Sequence, residues 1–389
     1  MADKILVKIL VVGQTPPPYG GQAMMINRMV QAQFTRLQVF HVRMCFSDSF
    51  RSVGSFGLKK VCHLFQVVYQ ALRLRFKHGI PLLYFPPAGP NRNPILRDML
   101  LLWLMRPFFK KTVYHFRAAG ISEFLRQQPA LLQTLAKAAY GKPSAAFQLS
   151  ARNPADGRYF GADRVCIIPD GLEDAAQPYL GQDKPRAALP RILFVGVLRE
   201  DKGVSVLIQA AALLKQRGHG FRLTLVGEFV SDHYQQQVQA AVAQAGLEEW
   251  VSFAGVRTGQ QKWDLFHQAD LLCFPSFFES ESFGNVVVEA MMFALPVVAT
   301  RWRGIPDIVV EGETGLLVPP CDAQALAQAL AALLADGPRR QWLGQRGRER
   351  FVAHYTLTQH LRAMEEALVA IAHDQPLPCD RPHSLITTG

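Results

Sequence analysis

Short runs of apolar and β-branched residues alternate with longer amphipathic segments along most of the chain. In the first half these runs are Lys8–Gly13, Val39–Arg43, Pro81–Phe85, Thr112–Phe116 and Arg164–Pro169. Between two of them, residues 59–77 repeat apolar side chains at helical spacing. Strands that alternate with helices form a parallel sheet covered by helices, so the pattern predicts an α/β fold.

A second series of runs follows residues 175–190, a segment with three prolines and little apolar content that is typical of a linker. The later runs are Arg191–Gly196, Phe221–Gly227, Val251–Gly255, Leu271–Pro275, Pro296–Thr300 and Gly315–Pro319. Each series opens with a strand that ends in Val-Gly. The sequence therefore predicts two Rossmann-like domains facing each other across a cleft, with ligands bound beyond the carboxyl ends of the strands.

The predicted domains are an N-terminal one over residues 1–183 and a C-terminal one over residues 184–355. Residues 356–373 are predicted to form a helix that packs back on the N-terminal domain. Residues 374–389, rich in proline and polar groups, are predicted to be a loose tail.

The charge of the chain is concentrated in its first half. Residues 1–183 carry 23 Lys and Arg against 10 Asp and Glu, whereas residues 184–389 carry 19 against 21. Residues 51–111 alone hold 11 basic residues and one acid, Asp98. Such asymmetry indicates an anionic partner.

An anionic membrane surface is the partner we expect for residues 51–111, because the amphipathic segments 59–77 and 94–111 have basic ends. Core packing of these helices is the alternative. Nucleic acid is disfavoured, since no recognisable module interleaves the basic residues with aromatic stacking candidates.

The expected location is cytoplasmic, peripheral on the inner face of the plasma membrane. The longest apolar run, Met99–Met105, falls far short of the ~20 residues needed to span a bilayer. The start of the chain does not read as a signal peptide. The six cysteines are widely spaced, which favours reduced thiols.

The strongest chemical signal is the segment Phe277–Met291, in which a strand leads through a polar turn into a helix that starts near Phe283. The free N–H groups and dipole of a helix start favour a phosphate. Glu281 lies in the turn and Glu289 about two helical turns later, so the two carboxylates can reach opposite ends of one extended ligand. Taken singly, Glu281 reads equally as a helix cap and Glu289 as a solvated helix residue.

The motif Glu-Ser-Phe-Gly-x4-Glu-Ala-Met at 281–291 is followed by Pro-Val-Val-Ala-Thr and by Gly-Ile-Pro-Asp-Ile-Val-x-Glu-Gly-x-Thr-Gly-Leu-Leu-Val-Pro. This set resembles the C-terminal domain of the family 4 retaining glycosyltransferases, which have the GT-B fold. The resemblance is dense over 191–335 and extends to the opening segment from Val12-Gly13 to Gly20-Gly21. Residues 45–110 match only in the alternation of predicted strands and helices.

For the C-terminal half, the resemblance implies that Glu281 contacts hydroxyls of the donor sugar and that Glu289 accepts hydrogen bonds from the ribose. Sugar hydroxyls and the diphosphate would be held by backbone N–H groups of a short run, namely Ser282, Phe283, Gly284 and Asn285.

For the N-terminal half, the resemblance implies that Gly20 and Gly21 let the backbone approach the donor phosphates closely. His115 matches the family histidine near the sugar ring, with a core histidine as the alternative. Arg117 is assigned to an anionic acceptor site or to a phosphate.

Two positions depart from the family pattern. Lys202 matches the lysine that neutralises the leaving diphosphate, but Val197 stands where the family has arginine. We expect Arg199 to take that role, because a guanidinium binds phosphate through two donors. Asp170 stands where the family often has asparagine.

The implied reaction is the transfer of a hexose, with retention, from a nucleotide-diphosphate sugar to a hydroxyl of a saccharide acceptor. We expect a lipid-linked acceptor and a role in lipopolysaccharide or exopolysaccharide synthesis. No Asp-x-Asp triplet occurs in the chain, and we predict that neither a metal ion nor another cofactor is needed.

Two alternatives stay open: a sugar-nucleotide epimerase or phosphorylase on the same fold, and a non-catalytic binding protein, which Val197 favours. A dinucleotide oxidoreductase is disfavoured, because Gln-Thr-Pro-Pro-Pro follows Gly13 where a glycine-rich turn would be needed.

Overall fold

A computed structural model describes residues 6–17, 20–46, 58–185 and 187–377, without the side chains of 58–60. The chain divides into two units. Unit 1 comprises the residues up to Asp170 together with those from Thr358 onwards, and unit 2 comprises Gly171–Leu357. Each unit contains one six-stranded parallel sheet with helices, so the prediction of two α/β domains is confirmed.

The sheet of unit 1 has the order β2-β1-β3-β4-β5-β6. Its strands are β1 (Val7–Gly13), β2 (Leu37–Arg43), β3 (Leu82–Phe85), β4 (Lys111–Phe116), β5 (Ala145–Gln148) and β6 (Val165–Ile167). Its helices are α1 (Gly21–Gln31), α2 (Leu58–His78), α3 (Arg92–Met105), α4 (Ile121–Arg126), α5 (Ala130–Tyr140), α6 (Asp156–Tyr159) and, after unit 2, α14 (Leu357–Ala372).

The two faces of this sheet are buried by different helices, because side chains alternate along each strand. Leu10 and Val12 of β1 belong to a cluster with residues of α2, α3 and α5. Ile9 and Val11 belong to a second cluster with residues of α1 and α14, among them Leu368. The last described helix is therefore a structural part of the first unit.

The sheet of unit 2 has the order β12-β11-β10-β7-β8-β9, in which the direction of succession reverses between β7 and β10. Its strands are β7 (Arg191–Val195), β8 (Arg222–Val226), β9 (Val251–Gly255), β10 (Leu271–Phe274), β11 (Val297–Thr300) and β12 (Gly315–Val318). Its helices are α7 (Val204–Gln216), α8 (Asp232–Gln244), α9 (Gly259–Gln268), α10 (Asn285–Met292), α11 (Ile305–Ile308), α12 (Ala323–Ala335) and α13 (Gly337–His354). Ligands of such sheets bind at the carboxyl ends of the strands beside the reversal.

The predicted linker is largely part of unit 2, which begins at Gly171 rather than after residue 183. Ala176 is buried, and the Tyr179 hydroxyl donates to Asp264 Oδ1 at 2.6 Å. Proline and glycine mark irregular backbone here, but that backbone packs on α9. The predicted tail begins at residue 374, and its residues 378–389 lie outside the described part of the chain.

In the described part of the chain, Cys45, Cys62, Cys273 and Cys321 are free cysteines. Among the described residues, no helix is both long enough and apolar enough to cross a bilayer.

Candidate functional site

The carboxyl edge of the unit 2 sheet brings two loops together beside the reversal point. Gly203, at the start of α7, has φ +76, and a Cβ atom there would overlap the carbonyl oxygen of Pro275. The Phe277 N–H donates to Asp201 O at 2.8 Å. Close backbone contact thus holds the loop that carries Lys202 against the turn that follows β10.

Lys202 and Glu281 meet across these two loops. The Lys202 ammonium lies 2.5 Å from Glu281 Oε2, and the Ser276 hydroxyl donates to the same oxygen at 3.0 Å. Both charged side chains are mostly buried. The lysine also lies over the Phe278 ring, 4.7 Å from its centroid. Each charge is held in place by the other, and a ligand can replace the partner on both sides: an anionic group can pair with Lys202, and hydroxyl groups can donate to Glu281.

The start of α10 lies next to this pair. Gly284, which precedes the helix, has φ +82, a conformation that favours glycine. No hydrogen bond to a described residue engages the backbone N–H of Phe283 or of Gly284. Ser282 and Phe283 are buried, and Asn285 is the first helical residue. These free N–H donors and the helix dipole form a surface suited to an anion.

Glu289 lies further along α10 and is paired with a residue that the sequence analysis missed. Lys262 of α9 places its ammonium 2.6 Å from Glu289 Oε1, and both side chains are mostly buried. Glu289 is therefore not a solvated helix residue. No motif marks Lys262, because its partner lies 27 positions away in sequence.

Arg199 and Lys202 both lie over the aromatic ring of Phe278. Arg199 Nε is 2.6 Å from Asp201 Oδ1, and its guanidinium lies 4.7 Å from the centroid of Phe278. Val197, in place of the family arginine, is 45% exposed. The Phe278 ring thus contacts two cations at this edge of the sheet.

In unit 1, the first candidate residues lie just beyond β1. Gly20 precedes α1 in an extended conformation with φ −113, and Gly21 is the first residue of that helix. Pro18 and Tyr19 lie outside the described residues. The position agrees with a loop at the carboxyl edge of the sheet, and the phosphate contact of Gly20 and Gly21 stays a prediction.

His115, on β4, is fully buried. Its Nδ1 is hydrogen-bonded to the Tyr84 hydroxyl at 2.8 Å, and within the described residues its buried Nε2 has no hydrogen-bond partner. Burial, with Arg117 and His360 nearby, holds the pKa of His115 well below its usual range. The imidazole is therefore neutral at pH 7, and a sugar can touch it only if its neighbours move.

Arg117 forms a buried ion pair with Asp170. His360 of α14 lies beside them, and its Nδ1–H donates to Pro169 O at 2.6 Å. Its ring centroid is 6.5 Å from that of His115. Tyr84, Asp170 and His360 were not predicted as site residues. The one sign of this cluster in the sequence was Asp170, which stands where the family often has asparagine. Its carboxylate supplies the counter-ion for Arg117.

The predicted residues thus form two groups at the carboxyl edges of their own sheets. Unit 2 brings Lys202, Arg199 and Glu281 together next to the start of α10, with Glu289 held by Lys262. Unit 1 brings His115 and Arg117 together in a buried polar cluster.

Residues 182–350 match the sequence profile described as "Glycosyl transferases group 1". Among curated relatives, the D-inositol 3-phosphate glycosyltransferase of Pseudarthrobacter chlorophenolicus is 36% identical over 197 residues, which are 48% of this chain and 46% of the relative. The amylovoran biosynthesis glycosyltransferase AmsK of Erwinia amylovora is 35% identical over 147 residues, 37% of this chain and 35% of the relative. The chain therefore spans less than half the length of these relatives.

The fold is also that of solved glycosyltransferases. Anabaena Alr3699/HepE, crystallised with UDP-glucose, superposes with a TM-score of 0.68 and 21% identity, covering 93% of this chain and 99% of the other. Likeness at this level of identity shows the fold, which is GT-B.

Proposed function

We propose, from the match of residues 182–350 to the profile of glycosyl transferases group 1, that the chain is a retaining hexosyltransferase. It moves a hexose from a nucleotide-diphosphate sugar to a hydroxyl of a saccharide acceptor. The acceptor is lipid-linked, and the product is a cell-surface polysaccharide such as a lipopolysaccharide or an exopolysaccharide. AmsK, a relative named for amylovoran biosynthesis, supports this product class.

The pairing of Lys202 with Glu281 beside the start of α10 is the observation that carries the proposal. A donor diphosphate at the free N–H groups of Phe283 and Gly284 attracts the Lys202 ammonium, with Arg199 on the same ring. Glu281 is then released to accept hydrogen bonds from sugar hydroxyls. The ligand-free pair keeps both side chains in place, which limits the reorganisation that binding requires.

In the proposed reaction, the bond from the anomeric carbon to the diphosphate oxygen breaks and a bond to the acceptor oxygen forms on the same face. The acceptor proton passes to the leaving phosphate oxygen. Lys202 and Arg199 stabilise the negative charge that develops on the diphosphate, so the residues act through position and electrostatics. No metal ion is assigned a part.

Glu289 is proposed to bind the ribose hydroxyls of the donor. Lys262, 2.6 Å from its carboxylate, fixes the carboxylate orientation before the nucleotide arrives. A UDP-hexose is the first donor to test, because the HepE structure of the same fold contains UDP-glucose.

The membrane partner is proposed for the α2–α3 side of unit 1. Phe65, Tyr69 and Phe76 of α2 are more than half exposed, and Trp103 of α3 is exposed as well. Apolar and aromatic side chains beside basic residues favour an anionic lipid surface. Residues 51–57 of the basic segment lie outside the described part of the chain. On this proposal the protein acts at the inner face of the plasma membrane.

Nucleotide release from UDP-, GDP- and ADP-sugars, with EDTA and saccharide acceptors present, tests the function. Glu281→Ala is expected to lower turnover by about 10²-fold or more, because it removes the partner of Lys202 and a contact to the reacting sugar. Glu279→Ala is the matched control: this carboxylate lies two residues away and is exposed, and it should leave turnover unchanged.

Equal loss in both variants would contradict the role of Glu281, and turnover only with added divalent metal would contradict metal independence. Nucleotide binding without turnover on any acceptor would favour the non-catalytic alternative. Conversion of the donor sugar without transfer would favour the epimerase.

A further inference from the structure

Unit 1 contains a pocket at the edge of its sheet opposite to the candidate site. The pocket has a volume of about 290 Å³ and lies between the carboxyl end of α3, the carboxyl end of α5 and the starts of β4 and β5. Lys110 immediately precedes β4 and Ser144 immediately precedes β5, whereas His115 lies near the other end of β4. Five residues at ~3.3 Å each separate Lys110 from His115 by roughly 17 Å.

Three cations line this pocket without an acidic residue among its walls: Arg106, Lys110 and Lys142. Arg106 is oriented by its own contacts, since Nη1 donates to Ala139 O at 3.2 Å and Nη2 to Lys142 O at 2.7 Å. In the described part of the chain, neither Lys110 nor Lys142 forms an ion pair. The pocket therefore combines one fixed guanidinium with two ammonium groups that are paired with no carboxylate of a described residue.

Hydroxyl groups among the lining residues add donors to the pocket. Ser144 Oγ accepts a hydrogen bond from the Thr112 N–H at 3.3 Å, which leaves its own O–H to donate. Thr112 lines the pocket as well. Cations with hydroxyl donors bind anionic oxygen groups such as a phosphate, whereas a cationic ligand would meet no acidic partner among the residues that line the pocket.

The remaining wall is apolar and continues onto the exposed surface. Leu102, Trp103 and Phe109 line the pocket, and Trp103 is also exposed. Next to them, Phe108 packs on Phe76 of α2 with ring centroids 5.8 Å apart, and both rings are substantially exposed. An aromatic rim that joins a cationic pocket suits a ligand with a charged head and an apolar body.

We propose that this pocket binds the phosphate headgroup of an anionic phospholipid. Its volume is at the lower end of ligand pockets, which span about 300–1,000 Å³, so it suits a headgroup and is small for a nucleotide sugar. Arg106, Lys110 and Lys142 bind the phosphate, and Trp103 and Phe108 contact the glycerol and the first methylenes. The pocket anchors unit 1 on the bilayer and takes no part in sugar transfer.

This inference deepens the membrane part of the proposed function, and it is tested on the full chain. Calorimetry measures binding of dihexanoyl phosphatidylglycerol and of dihexanoyl phosphatidylcholine, both below the concentrations at which they form micelles. We expect saturable binding of the first with one site per chain, and binding of the second at least tenfold weaker. Lys110→Gln/Lys142→Gln should weaken phosphatidylglycerol binding by more than about tenfold, since two charge-assisted contacts are lost.

Arg73→Gln/Lys77→Gln is the matched control. It removes two exposed cations from α2 of the same unit, and neither residue lines the pocket, so the affinity should stay the same. Equal weakening in both double variants, or no saturable binding in the wild type, would overturn the proposal.

A second variant tests the pocket with its charges intact. Ala138→Phe places a ring in the pocket from an exposed position on α5 and should abolish binding without unfolding the unit. The last calorimetric titration uses inorganic phosphate. Binding of phosphate as tight as that of dihexanoyl phosphatidylglycerol would overturn the lipid assignment. The lipid titration is independent of Glu281, so Glu281→Ala should bind the lipid normally even if the transferase proposal fails.

Discussion

At the scale of residues, the buried cluster of unit 1 contains two charged side chains of types that are usually exposed. Arg117 and Asp170 are both nearly inaccessible and form one ion pair. Removing either partner alone would leave a buried charge uncompensated, at a cost of about 3–5 kcal/mol. Because Asp170 already neutralises the guanidinium through its Nη1 atom, an anion at Arg117 has to compete with this carboxylate. The anion-binding role of Arg117 stays a prediction with that condition attached.

His360 makes the stability of unit 1 depend on pH. Burial, and then Arg117, lowers the pKa of His360 to about 4, while Asp170 and the Pro169 carbonyl oppose this and Arg28 adds to it. In the unfolded chain the pKa of a histidine is about 6.5. Between these values the unfolded state binds a proton that the folded state does not. Stability from this residue is therefore complete above pH 6.5 and falls by up to about 3 kcal/mol as the pH falls towards 4.

The test compares urea unfolding at pH 7.5 and pH 5, read from hydrogen exchange of the peptide that contains β4. His360→Asn keeps a donor for Pro169 O but cannot titrate, so its loss of stability at pH 5 should be smaller than that of the wild type. His233→Asn, at an exposed position of unit 2, should leave the pH dependence unchanged. An unaltered pH dependence in His360→Asn would refute the argument.

Residues within a local motif could be predicted from the sequence, whereas their distant partners could not. Glu281, Glu289 and Lys202 are marked by spacing and neighbours. Lys262 and His360 are not, because each meets its partner only after α9 or α14 has packed. A histidine in an amphipathic helix has no local sign that it will be buried beside another histidine.

At the scale of elements, the loop that carries Lys202 depends on Gly203. Replacement by alanine would strain a residue at φ +76 and would drive its Cβ into the Pro275 carbonyl. The loop must then move, and Lys202 moves with it. We expect Gly203→Ala to lower kcat/KM for the donor by about 10²-fold, the effect that a shift of about 1 Å can have on a positioned group.

Gly218→Ala provides the comparison for that variant. Gly218 has φ +79, but a Cβ there meets no atom within 4 Å. Both variants carry the strain of a left-handed residue, about 1–2 kcal/mol, and only one displaces the loop. Turnover and thermal unfolding measured together separate the two effects. Equal turnover in both variants would show that the close backbone contact has no part in activity.

The strands follow the sequence closely, apart from β5. Strand β9, for example, has the predicted bounds, Val251–Gly255. Strand β5, with the sequence Ala-Ala-Phe-Gln, has no β-branched residue and was missed. It is a strand because β4 and β6 pair with it on both sides, and that pairing is not visible locally.

At the scale of the whole molecule, the excess positive charge of the first half predicts salt-dependent membrane binding. Sedimentation with phosphatidylglycerol-containing vesicles should exceed sedimentation with phosphatidylcholine vesicles, and the difference should shrink at high salt, where screening is short-ranged. Phe65→Ser/Tyr69→Ser should reduce binding, because it removes exposed aromatic groups from α2. Val230→Ser/Val256→Ser, which removes exposed apolar groups from unit 2, should not. Equal, negligible binding to both kinds of vesicle would rule out the membrane partner.

The chain enters and leaves unit 2 at neighbouring points. The Leu172 N–H donates to Tyr355 O and the Leu357 N–H donates to Leu172 O, each at 2.8 Å. Unit 2 is thus one continuous segment inserted into unit 1. During synthesis it can complete its core as soon as residue 357 has left the ribosome, whereas the half made first must wait for α14, which is made after unit 2. Until α14 is made, Leu368 does not pack on its face of β1. Aggregation is therefore most favoured at the stage of synthesis when the first half has been made and α14 has not.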